Sequence, residues 1–136
     1  MVKVVADTNI YISALFWHGN PYKFIHLCFE RKAKLVISRQ IIDELERILL
    51  TDGKFEMPRE DVALYSEIIL SCAELVSPNF TLNVIIKDPA DDRILECAVE
   101  GGVDYLVSGN KHLFDVKEFQ GIKIVTAREI HEILGV

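Results

Sequence analysis

Asp7, Glu44, Asp91 and Asn110 are the residues of this chain whose types and settings can do chemistry. Asp7 ends the apolar run "VKVVA" and opens "DTN", and Glu44 lies within "RQIIDELERILL". Asp91 stands in "KDPADDRILECA" with Asp88 and Asp92 beside it, and Asn110 follows "DYLVSG", flanked by Ser108, Lys111 and His112. Clustered carboxylates without His or Cys in ligand spacing prefer hard cations such as Mg²⁺ or Mn²⁺, which take oxygen ligands and keep several waters. Two such ions about 4 Å apart can activate a water and stabilise the leaving oxygen of a phosphodiester. That favours phosphodiester hydrolysis over acyl transfer. The chain has no Walker phosphate cradle, no G-x-S-x-G elbow and no G-x-G-x-x-G at its first helix.

Chemistry of this kind needs elements that bring distant segments together. Short β-branched runs recur at 2–6, 34–38, 73–77, 104–109 and 122–126, and each reads as a strand. Between them lie stretches of helical period: "NIYISALF", "NPYKFIHLCFERK", "RQIIDELERILL", "REDVALYSEIILSC", "PADDRILECAVEGG" and "AREIHEILG". Strands alternating with helices predict an α/β fold with a parallel sheet and helices on both faces. In such sheets ligands bind outside the carboxyl ends of the strands, where connections leave in opposite directions. Asp7 and the "VSGNKH" segment both fall at strand ends of this kind. The sequence shows no repeat, linker or low-complexity tract, which predicts one domain over 1–136.

Helical geometry then sorts the acids. In "RQIIDELERILL" the apolar residues Ile41, Leu45, Ile48, Ile42 and Leu49 fill an arc of about 120°, with Glu44 about 40° past its edge and Asp43 pointing away. Asp88 before Pro89 is a natural N-cap. Asp91 falls on the inward stripe with Ile94 and Ala98, whereas Asp92, about 100° further round, is expected to face solvent. Each has an ordinary reading too: Asp7 can cap a helix, Glu44 can be a boundary residue, and the polar strand end can be a simple turn with Lys111 and His112 in a solvated loop.

Composition narrows the class further. The net charge of −6 argues against a general nucleic-acid scaffold, yet it suits an enzyme that gathers carboxylates round metal. Cys28, Cys72 and Cys97 are far apart among apolar neighbours and read as core residues. No apolar stretch reaches the roughly 18 residues of a membrane span, and the opening "MVKVVADTN" has no secretory signature, so a cytoplasmic location is expected.

Taken together, "VVADTNIYISAL", "SRQIIDEL", "DPADDRILECA" and "DYLVSGNKHL" resemble the PIN-domain family, especially its small VapC-like toxins, and the likeness runs from Asp7 to the closing "GIKIVTAREIHEIL". The resemblance implies a Rossmann-like five-stranded parallel sheet, order 3-2-1-4-5, and a Mg²⁺- or Mn²⁺-dependent endoribonuclease. It assigns Asp7 and Asp91 to direct metal contact, Glu44 to direct or water-mediated contact, and Thr8 and Ser108 to donors behind them. Lys111 and His112 fall where RNA phosphates would lie. Asn110 is assigned to orienting water or substrate; it departs from the family pattern, because the fourth position is commonly an aspartate, and its neutral amide oxygen would hold a second metal more weakly, or only with substrate phosphate present. RNA as substrate, a cognate antitoxin and a homodimer are the partners the resemblance implies. Two other readings compete. A PIN-like binding module would show no Mg²⁺ or Mn²⁺ affinity, and a phospho-acceptor receiver domain would need an acidic pair, an acceptor Asp and a Lys that "DTN", "VSPNF" and "VTARE" do not supply.

Overall fold

A computed structural model describes residues 1–83 and 89–135. The expectation that Asp88 caps a helix lies outside the described residues. The chain runs β1 (Lys3–Ala6), α1 (Thr8–Phe16), α2 (Asn20–Phe29), β2 (Lys34–Ser38), α3 (Arg39–Thr51), α4 (Arg59–Cys72) and β3 (Ala73–Val76). It continues through α5 (Pro89–Gly101), β4 (Tyr105–Val107), α6 (Lys111–Phe114), β5 (Glu118–Phe119), β6 (Ile122–Val125) and α7 (Ala127–Leu134).

The strands form one sheet in the order β3-β2-β1-β4-β6-β5. β1 pairs in parallel with β2 on one side and β4 on the other, β3 extends the sheet beyond β2, and β6 extends it beyond β4. The five expected strands thus take the expected order 3-2-1-4-5. A sixth strand corrects the count: β5 adds two residues antiparallel to β6, joined by Gln120 and Gly121 at φ 50° and 84°. Two positive-φ residues are what a tight hairpin needs, but a two-residue strand is too short to show a period of two.

The connection from β1 to β2 leaves to one side, and the connection from β3 returns to β4 on the other side of β1. The crevice of this switch lies between the carboxyl ends of β1 and β4, where Asp7 and Ser108 begin their connections. α5 crosses the sheet, touching β1, β2, β3 and β4. It approaches closely at Gly101, where a Cβ would lie 2.5 Å from Cγ1 of Val36. Val36 is a stiff side chain on a buried central strand, so glycine is needed for that approach.

The core is built from Val4, Val5, Leu35, Ile37, Leu95 and Leu106 of the sheet and α5, closed by residues such as Tyr11, Phe24, Ile42 and Leu45 of α1–α3. Cys28, Cys72 and Cys97 are buried free thiols, as expected, and burial pushes the Cys97 thiol up to about 12. Tyr11 is fully buried, and its hydroxyl has no hydrogen-bond partner among the described residues. An orphaned buried hydroxyl costs about 1–3 kcal/mol. Tyr11→Phe is therefore expected to raise stability by about 1 kcal/mol, read as a higher urea midpoint at unchanged slope; a lower midpoint would show that the hydroxyl is satisfied.

Candidate active site

Asp7 is the N-cap of α1, and its Oδ1 accepts the Ile10 amide at 3.0 Å. The ordinary capping role is therefore real, but it uses one carboxylate oxygen. The other, Oδ2, accepts from the Ser108 hydroxyl. Ser108 is fully buried at the end of β4, and its oxygen in turn accepts the Asn110 amide at 2.8 Å. Asn110 Nδ2 donates to Asp91 Oδ2 at 3.0 Å across the crevice. One chain of hydrogen bonds thus joins Asp7, Ser108, Asn110 and Asp91, contributed by the ends of β1 and β4 and the first turn of α5.

The direction of the Asn110 amide follows from its other bond. Oδ1 accepts the His112 amide at 2.8 Å and caps α6. A flipped amide would set its NH₂ against that N–H, so the oxygen is committed to the cap and the nitrogen faces the acids. The neutral oxygen that the sequence offers to metal or water is therefore turned away, and the amide instead holds Asp91. The short α6, read as turn or loop from "VSGNKH", is what takes that oxygen.

A cavity of about 70 Å³ opens between these groups, enough for several waters. Its polar lining is Asp7, Thr8, Asn9, Glu44, Asp91 and Asn110. Ile48 of α3 and Ile94 of α5 close its apolar side. The structure therefore brings together Asp7, Thr8, Glu44, Asp91 and Asn110, from four segments up to about a hundred residues apart. Glu44 is half-buried and Asp43 exposed, as the helical arc requires. Ser108 stands behind Asp7 rather than on the cavity. Lys111 and His112 begin α6 and are not part of the lining, Lys111 being exposed. Asn9 was not singled out in the sequence; its place in "DTN", just after the cap, was the available signal.

Asp92 is a correction. It is 2% exposed, as buried as Asp7, instead of facing solvent. Leu82, in the chain after β3, lies against that side of α5: its amide donates to Glu96 Oε2 at 2.8 Å, one turn beyond Asp92. Periodicity assigned the face to water because it could not show which loop would lie over it.

Burial raises the Asp7 carboxyl above its usual value, and the Ser108 hydroxyl and neighbouring backbone amides only partly offset this. Thr8 Oγ1 is buried on the cavity wall with no hydrogen-bond partner among the described residues. A buried acid short of compensating charge, an orphaned hydroxyl and an all-oxygen donor set fit a hard cation. Among the described residues no group of three or more His, Cys, Asp or Glu side chains is drawn together closely enough to hold a metal ion by itself.

The sequence profile of the PIN-domain family matches residues 3–112. An uncharacterised protein of Methanocaldococcus jannaschii is 28% identical over 120 residues, 86% of this chain and 76% of that protein. Among solved structures, VapBC2 of Rickettsia felis, bound to a DNA fragment from its promoter, superposes with a TM-score of 0.65 at 18% identity, covering 92% of this chain and 98% of that one. A Pyrobaculum aerophilum protein superposes with a TM-score of 0.65 at 16% identity over 98% of this chain and 89% of that one. The topology, the switch-point crevice and a profile match over most of the chain lead to one conclusion: this protein belongs to the PIN-domain family.

Proposed function

We propose that the chain is a Mg²⁺- or Mn²⁺-dependent endoribonuclease that serves as the toxin of a toxin–antitoxin pair. The observation that carries the nuclease reading is the cavity on which Asp7, Glu44, Asp91 and Asn110 meet. PIN-domain proteins are nucleases as a family, which supports hydrolysis. A bound divalent cation supplies Lewis-acid activation of water and neutralises charge on the phosphate. Asp7 and Asp91 hold the cation by their carboxylates, and Glu44 holds it directly or through water. Asn110 keeps the Asp91 carboxylate turned to the cavity, while Ser108 does the same for Asp7. Thr8 offers its hydroxyl to a water or phosphate oxygen. Lys111 and His112, at the start of α6, meet RNA phosphates outside the cavity.

The toxin reading is supported by the likeness to VapBC2, a toxin–antitoxin protein by its name. It brings with it a cognate antitoxin that approaches the acidic cavity with an Arg or Lys, and a homodimer. No helix among the described residues is long and apolar enough to cross a membrane. This fits a cytoplasmic place of action.

Purified protein is expected to cleave single-stranded RNA with Mg²⁺ or Mn²⁺, to stop on chelation, and to lose at least about 10²-fold in rate as Asp91→Asn, or about 2.7 kcal/mol of barrier. Undiminished cleavage in excess EDTA would overturn the metal requirement. The commitment of the Asn110 oxygen to α6 favours a second reading, a PIN-fold binding module without catalysis. Calorimetry separates the two: no heat with Mn²⁺, alone or with RNA, would establish the module.

A further inference from the structure

Beyond Asp91, α5 turns two side chains back onto the segment that leads into it. Arg93 Nη2 donates to the Leu82 carbonyl at 3.2 Å, and the Leu82 amide donates to Glu96 Oε2 at 2.8 Å. Arg93 Nη2 and Glu96 Oε2 also pair directly at 2.8 Å. Both main-chain polar groups of Leu82 are thus held by one ion pair, and Glu96 is only 2% exposed. An acid buried this deeply loses more hydration than an exposed i,i+3 pair, so helix stabilisation alone is a poor reason for it. Buried ionic groups are best attested as devices that fix register.

The register fixed here is that of the first turn of α5. The leading amides of a helix have no partners within it, so the first turn is its least constrained part. Asp91 stands in that turn, two residues before Arg93 and five before Glu96. We infer that the Arg93–Glu96 pair is a positioning clasp: by gripping Leu82 it locks the start of α5 and keeps the Asp91 carboxylate at the cavity. This rests on the reading of Asp91 as a metal-holding residue.

Removing Glu96 also removes a negative charge, so two variants are needed. Glu96→Gln deletes the charge but keeps an oxygen for the Leu82 amide, whereas Glu96→Ala deletes both. Mn²⁺ affinity is measured by calorimetry on the full chain, below the melting transition of each variant, together with kcat and KM on RNA. Glu96→Ala is expected to bind Mn²⁺ about tenfold more weakly and to lose kcat by a similar factor at unchanged KM. Glu96→Gln stays within about threefold of wild type. Equal weakening in both variants would reduce the effect to charge, and wild-type affinity in both would remove the clasp from function; either overturns the inference. A wild-type protein that binds no Mn²⁺ would instead overturn the metal site itself. Should Glu96→Ala fail to fold, Arg93→Lys keeps the charge but loses the guanidinium Nη2 that reaches both the Leu82 carbonyl and Glu96. It is then expected to weaken Mn²⁺ binding by about threefold or more, and wild-type affinity in that variant would refute the clasp.

Discussion

Asp7→Asn is expected to abolish RNA cleavage while making the metal-free protein more stable. Asp7 is 2% exposed, and no Lys or Arg among the described residues forms an ion pair with it. Its charge is therefore taken out of water without a cation to compensate, and burial raises its carboxyl above the usual 3.8. Asn caps a helix about as well as Asp, so the bond from the Ile10 amide survives the change. What is lost is the charge that holds metal, together with the oxygen that accepts the Ser108 hydroxyl, which then has to take the new NH₂ on its own oxygen. A fall of about 10³-fold in rate corresponds to roughly 4 kcal/mol of transition-state stabilisation. The gain in stability is expected in the range of about 0.5–2 kcal/mol that relieving a functional site commonly gives, roughly 4 °C per kcal/mol for a domain of this size.

The pH dependence gives this a sign. Because the folded carboxyl holds its proton to higher pH than the unfolded one, the folded state binds more protons between the two values. Stability in EDTA therefore falls as pH rises from the unfolded value through the raised folded value, and the full cost is present above it. The advantage of Asp7→Asn should grow over that interval and then level off. Saturating Mn²⁺ should reverse the ranking, since a ligand at a hundred times its Kd adds about 2.7 kcal/mol to a protein that binds it. Parallel pH–stability curves for the two proteins would sink the idea that Asp7 carries an uncompensated charge, whatever the activity shows.

Much of this is legible in the sequence because two strong signals agree. β-branched runs alternating with helical periods predict a parallel sheet with helices on both faces, the family resemblance supplies its strand order, and the arc of Ile41, Leu45 and Ile48 separates Glu44 from Asp43. Asp91 fell on the same stripe as Ile94, and both line the cavity. The misses are equally specific. β5 and α6 span two and four residues, shorter than any period can register. The burial of Asp92 depends on a segment remote from periodicity, held down by Arg93 and Glu96. The turning of the Asn110 amide depends on a cap for a helix too short to foresee.

That last feature leads to the sharpest expectation, that Asn110→Asp makes the metal-free protein less stable and more responsive to metal. The substitution keeps an oxygen for the His112 amide, since Asp is as good an N-cap as Asn. It replaces the donor that lies 3.0 Å from Asp91 Oδ2 with a second acceptor. Two carboxylates at that range repel each other unless a cation lies between them. The lost hydrogen bond and the new repulsion together are expected to cost on the order of 2 kcal/mol in EDTA. With Mn²⁺ present the same two charges attract the ion, and a gain of about 1.4 kcal/mol would tighten binding tenfold. Asn110→Ala supplies the control, because it loses both the amide bond to Asp91 and the cap of α6 without adding charge. It should lose stability with no gain in affinity. If Asn110→Asp binds Mn²⁺ no better than wild type, Asp91 and position 110 do not face a common ion, and the neutral amide is a structural strut alone. If it binds better and cleaves faster, the amide marks a deliberate restraint: a site held together without metal by one Asn, at the expense of the charge that would draw metal in.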